Sequence, residues 1–115
     1  MTMAPLMWLA VMATLIAVPV SAATFGELEA WCAPADKGGR PNLCSGYLDS
    51  ELELLASPDT DINGGTRVCV PANADRAKLT ALIRDYARRN PAARDLDTVV
   101  GLGHALKGHF PCRGQ

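Results

Sequence analysis

Four cysteines constrain this chain more than any other feature. They stand at Cys32, Cys44, Cys69 and Cys112 in a chain of 115 residues. An even count in so short a chain, beside an export-type leader, reads as a disulfide framework. The alternatives are a zinc site and free buried thiols. Zinc sites draw on close cysteine pairs, with about two residues between ligands. The separations here are 12, 25 and 43 positions, which does not suit zinc. An oxidising compartment also argues against thiol catalysis. Four cysteines admit three pairings, and the order of the helices has to choose among them.

The leader is legible in the charge distribution. None of the 23 charged side chains lies in residues 1–22, whereas all four methionines do. Leu6 to Val20 is an apolar run interrupted by Pro19. Val20-Ser21-Ala22 then offers small residues at the two positions a signal peptidase reads, so cleavage is expected after Ala22. The run falls short of the roughly 20 apolar residues of a membrane span. No cysteine stands at the cleavage point, which argues against a lipoprotein. Residues 1–22 therefore read as a signal peptide and residues 23–115 as one small domain with ordinary soluble composition. A net charge of -1 points away from a polybasic nucleic-acid binder.

The remaining chain reads as all-α. Thr24 followed by Glu27 is a capping-box pattern that starts a helix over Phe25 to Trp31. Ala33 to Pro41 is a loop, and Asn42 is positioned to cap a second helix from Leu43 to about Leu55. Glu51-Leu52-Glu53-Leu54 alternates like a strand. Its residues are strong helix formers and none is β-branched, so helix is preferred. Asp59 to Arg67 is a polar loop containing Asn63-Gly64-Gly65, and Val68 to Pro71 is extended. Asn73 is placed to cap a third helix over Ala74 to Arg89, with Leu79, Leu82, Ile83 and Tyr86 on one face. Pro91 opens a fourth helical segment that runs to about Lys107 with a jog near Asp95. The result is a small bundle of about four helices.

This order selects a pairing. The third and fourth helices share a short link and should run antiparallel, which brings Cys69, before one, to Cys112, after the other. Cys32 ends the first helix and Cys44 begins the second. The expected bridges are Cys32–Cys44 and Cys69–Cys112.

The residues that could carry chemistry are few. His104 and His109 are five positions apart on a helical pattern and point to different sides, which suits neither a shared metal nor a relay. Gly101-Leu102-Gly103 lacks the preceding strand of a dinucleotide site and reads as close helix packing. Arg84, Arg88, Arg89 and Arg94 form a basic cluster that reads as a solvated face or a contact for an acidic protein. Asp59 and Asp61 lie in a loop with no basic neighbour in sequence. The chain presents no catalytic, cofactor or metal motif, so a binding protein rather than an enzyme is expected.

Several short pieces in fixed order resemble the Rap1a/Tai family of immunity proteins. They are Cys44-Ser45-Gly46-Tyr47, Cys69-Val70-Pro71, Tyr86 with Asn90-Pro91, Ala105-Leu106, and Phe110-Pro111-Cys112. The resemblance covers about residues 30–112. Ser50 departs from the pattern, where the family often carries glycine. The resemblance implies a helical periplasmic protein that binds a type VI secretion effector, with peptidoglycan amidases among the targets, and occludes its active site. Family members often dimerise, so a homodimer is among the expected assemblies.

Occlusion requires a stiff scaffold and a protruding segment. The bridges supply the first. The Ser57–Arg67 loop is the expected second, with Asp59, Asp61, Asn63 and Arg67 as its polar contacts. Lys37 to Arg40 and the arginine face are further candidate surfaces. Two other readings compete: a periplasmic helical module with no toxin partner, and an acid-stress chaperone like the HdeA family, driven by protonation of paired acids. Two staples favour a stiff domain over such a conditional unfolder.

Overall fold

The computed structural model describes residues 23–113. The expected signal peptide, residues 1–22, lies outside the described residues. Five α-helices make up the architecture: α1 (Phe25–Trp31), α2 (Pro41–Ala56), α3 (Thr60–Asn63), α4 (Arg76–Arg89) and α5 (Thr98–Leu106). Short 3₁₀ turns occupy Ala35–Lys37 and Pro91–Asp95. The all-α reading holds, and the described residues contain no strand beyond one isolated bridge, Thr24 to Asp97.

The N-terminus of α1 forms as its sequence dictates. The Thr24 hydroxyl accepts the Glu27 N–H at 3.2 Å. Phe25 and Leu28 then enter the core, each fully buried. The chain between α1 and α2 folds back on itself. The Arg40 N–H donates to the Trp31 carbonyl at 2.8 Å, and Gly38 takes the left-handed conformation at φ 84°. That return brings Cys32 beside Cys44, with their Cα atoms 4.9 Å apart and their sulfurs bonded.

Three boundaries differ from the sequence reading. First, α2 starts at Pro41 rather than after an Asn42 cap, because proline's fixed φ suits the first helical position and Arg40 is already turned toward Trp31. Second, Asp75 and not Asn73 caps α4, accepting the Ala77 N–H at 2.9 Å. A turn closed by Ala74 N–H to Pro71 carbonyl occupies the residues before it. Third, the fourth segment is not one helix. Its 3₁₀ turn ends at Asp95, Leu96 is extended, and α5 starts only at Thr98.

Tertiary bonds account for that break. The Leu96 carbonyl accepts the Phe25 N–H at 2.9 Å, and the Thr98 hydroxyl donates to the Ala23 carbonyl at 2.7 Å. The Thr98 N–H also reaches the Ala23 carbonyl, at 3.3 Å, so a backbone acceptor and a backbone donor that would serve a continuous helix are both drawn to the start of α1 instead. This tie joins the beginning of the domain to its last helix.

Helix α5 is the centre of the bundle. It packs on α1, α2 and α4, and its Gly101, Leu102, Gly103 and Leu106 are buried. A helix apolar on nearly every side is one surrounded by others. Around it lie Leu48 and Leu55 of α2 and Leu79, Ile83 and Ala87 of α4. Phe25 meets Tyr86 edge to face at 6.1 Å. Helices α4 and α5 close as expected, so Cys69 bonds Cys112 with Cα atoms 4.9 Å apart. Both predicted bridges are present. No described helix is long and apolar enough to cross a membrane.

Candidate functional site

The segment after α2 is more ordered than a polar loop. Pro58 stops α2, and Asp59 then caps the single turn of α3 by accepting the Asp61 N–H at 2.9 Å. The Ser57 hydroxyl accepts the Asp59 N–H at 3.2 Å. Gly64 follows at φ 73° and Gly65 at φ 96°, conformations that glycine adopts without steric cost. At Gly64 a side chain would also crowd Val99 and Val100 of α5.

Asn63 builds this turn from inside. It is only 2% exposed. Its amide N–H donates to the Ser57 carbonyl at 2.9 Å, and its amide oxygen accepts the Gly65 N–H at 2.8 Å. Both ends of the side chain are therefore spent on the loop's own backbone. Arg67 is half-buried and its Nε donates to the Ala56 carbonyl at 2.9 Å, which ties the far end of the loop to the end of α2.

The four residues expected to make polar contacts thus divide. Asp59 and Asp61 are exposed on the turn, although one oxygen of Asp59 serves as the cap. Asn63 is buried with both amide groups bonded within the loop, and Arg67 is half-buried with its Nε bonded to the Ala56 carbonyl, so both brace the turn. The sequence reading also overlooked Ile62. It is 45% exposed on the α3 turn, next to Asp61. The signal was present, since it is the one large apolar residue in the run from Asp59 to Arg67.

Other surfaces are shaped differently. Arg94 binds Glu29 through two hydrogen bonds of 2.8 and 3.2 Å, which hold its guanidinium charged above the ordinary range. Asp85 takes Arg88 at 2.6 Å and Arg89 at 2.8 Å. The hydrogen bond from Arg88 leads the effects that keep the Asp85 carboxyl below its usual value. The arginine cluster is therefore partly neutralised in place, with Asp85 and Glu29 pairing three of its four arginines.

Helices α2 and α4 barely touch and flank a shallow groove bridged by the Asp49–Arg76 ion pair. On one side of that pair the groove is lined by Trp31, Pro34 and Leu48, and on the other by Leu52, Val70 and Leu79. Neither half brings a histidine to its lining, and every cysteine of the chain is disulfide-bonded.

The fold and this site define a class: a small helical domain, closed by two disulfides, that presents a short turn held by its own side-chain bonds. The chain belongs to the Rap1a immunity proteins, whose pattern it matches over residues 24–112. None of the curated proteins and none of the solved structures matches it.

Proposed function

We propose that this chain is a periplasmic immunity protein of type VI secretion that binds a peptidoglycan amidase effector and closes its active site. In this account residues 1–22 direct export and are removed after Ala22, leaving residues 23–115 as the inhibitor. Membership of the immunity family supports a toxin as partner. The observation that carries the choice of surface is the α3 turn. Its backbone is held by Asp59 and Asn63, while Asp61 and Ile62 stand exposed on it.

The physical argument is pre-organisation. A loop that orders only on binding loses affinity to the entropy of ordering. Here the internal bonds of Asn63 and the tether of Arg67 meet that cost during folding. An apolar tip flanked by carboxylates can fill a cleft and choose its charge partners there.

The test is substitution on that turn. Asp61→Arg with Ile62→Asp is expected to reduce binding to the neutralised effector at least tenfold and to leave the melting temperature within about 2 °C, since both side chains are exposed. Unchanged affinity would remove the turn from the interface.

A further inference from the structure

Charge is segregated along this fold in a way the net value conceals. Residues 41–66, covering α2 and α3, contain five carboxylates and no lysine or arginine. Residues 76–94, covering α4 and the turn after it, contain six basic residues and one carboxylate. The α2–α3 segment is therefore acidic and the α4 segment basic, with the overall charge near zero.

The acidic part also holds the exposed apolar side chains. Among the described residues the exposed large hydrophobics are Leu43 (39%), Leu54 (40%) and Ile62 (45%). At 100° per residue, positions 43, 47, 50 and 54 fall within an arc of about 60° on α2. That arc lies away from the buried Leu48 and Leu55. Tyr47 on the same arc is half-buried and braced edge to face by Trp31 at 5.3 Å. Helix α3, which carries Ile62, follows α2 in the chain and packs on it and on α5. Glu51 lies between the ridge and Asp97 at the start of α5, and burial together with Asp97 holds its carboxyl above the ordinary value. Exposed leucine and isoleucine beside a half-buried tyrosine, near carboxylates of one sign, have the anatomy of a protein interface.

We propose that the ridge of Leu43, Tyr47, Leu54 and Ile62, flanked by Asp59 and Asp61, docks a protein surface whose centre is apolar and whose rim carries lysine or arginine. This extends the contact beyond the α3 turn along the length of α2, and its application to the effector rests on the immunity reading. Charge complementarity selects the occupant. Of the segment's five carboxylates only Asp49 is ion-paired among the described residues, to Arg76. A basic rim meets the exposed Glu53, Asp59 and Asp61 there, whereas an acidic one is repelled.

The experiment follows backbone amide shifts of the purified protein, disulfides intact, during titration with two synthetic amphipathic helical peptides. One is built from leucine and lysine, the other from leucine and glutamate. The lysine peptide should shift amides between Leu43 and Ile62, bind at least tenfold more tightly there than the glutamate peptide, and weaken at least tenfold between 0.05 and 0.5 M salt. Leu54→Ser with Ile62→Ser should lower its affinity about tenfold with an unchanged circular dichroism spectrum. Equal binding of both peptides, or shifts confined to other helices, overturns the proposal. Should that double variant lose its helical spectrum, Asp59→Asn with Asp61→Asn replaces it, and an unchanged salt dependence counts against the proposal. A chain that binds the lysine peptide as expected but neutralises no effector would refute the immunity reading and leave this one standing.

Discussion

The Cα of Gly101 rests against the side chain of Phe25. A methyl group added there would come within 2.7 Å of the ring's Cδ2 and closer still to Cβ and Cγ. Phe25 is fully buried and has no room to retreat. Gly101→Ala is therefore expected to destabilise the domain by about 1–3 kcal/mol through overpacking, despite alanine's better helix propensity. Gly46 on α2 has nothing within 4 Å of the same added atom. Gly46→Ala should stabilise by about 0.5–1 kcal/mol. Urea unfolding of the two variants reads opposite signs; equal effects would contradict the packing described.

Asn63 and Asp61 separate scaffold from surface. Asn63→Ala removes both of its bonds to the loop backbone. With the Ser57 carbonyl and Gly65 N–H left unpaired, a loss of about 1–3 kcal/mol is expected. Asp61→Ala changes an exposed carboxylate and should move stability by less than about 0.5 kcal/mol. Thermal unfolding distinguishes them, and similar melting temperatures would mean that Asn63 does not hold the turn.

The two disulfides should contribute unequally. Cys69–Cys112 closes a loop of 43 positions and Cys32–Cys44 one of 12. The chain-entropy relation gives about 4 and about 3 kcal/mol respectively. Paired Cys→Ala variants, compared by denaturant midpoint, should show the larger loss for Cys69 with Cys112. Peptide mapping without reduction provides the direct check of connectivity, and a fragment joining Cys44 to Cys69 would contradict it.

Glu51 makes stability depend on pH in a direction opposite to most carboxylates. Burial first, and Asp97 second, raise its folded value above the ordinary 4.5. The folded state then holds its proton more tightly than the unfolded state does. Stability from this group is present below about the ordinary carboxylate range and is lost as pH rises through the folded value. Glu51→Gln should raise the melting temperature at pH 7 and have little effect at pH 3. The gain is expected to be well under about 1 kcal/mol, because the group is only half-buried and screened. A variant less stable at pH 7 would show that the charge of Glu51 is favourably paired.

Much of the fold could be read from local patterns. The Thr24–Glu27 cap, the apolar face of α4 and both disulfides follow from sequence spacing and helix order. What local pattern missed was set from a distance. Leu96 leaves the helical path and α5 starts only at Thr98 because Phe25 and Ala23, more than 70 positions earlier, take the Leu96 carbonyl and the Thr98 N–H. The candidate site was legible as a segment but not as a set of side chains. Asp59, Asp61, Asn63 and Arg67 look alike as polar loop residues. Burial, which a sequence does not print, turns Asn63 and Arg67 inward and leaves Ile62 outside.

The central claim, neutralisation of a secreted toxin, is tested most directly by co-expression. The full chain is produced together with periplasm-directed amidase effectors of the same bacterium's type VI system, and growth is followed alongside complex formation on size exclusion. Growth restored by the chain against one effector, with a stable complex recovered and both effects lost in Asp61→Arg/Ile62→Asp, is the predicted result. Lysis that proceeds equally with and without the chain for every such effector, and no complex with any of them, would contradict it.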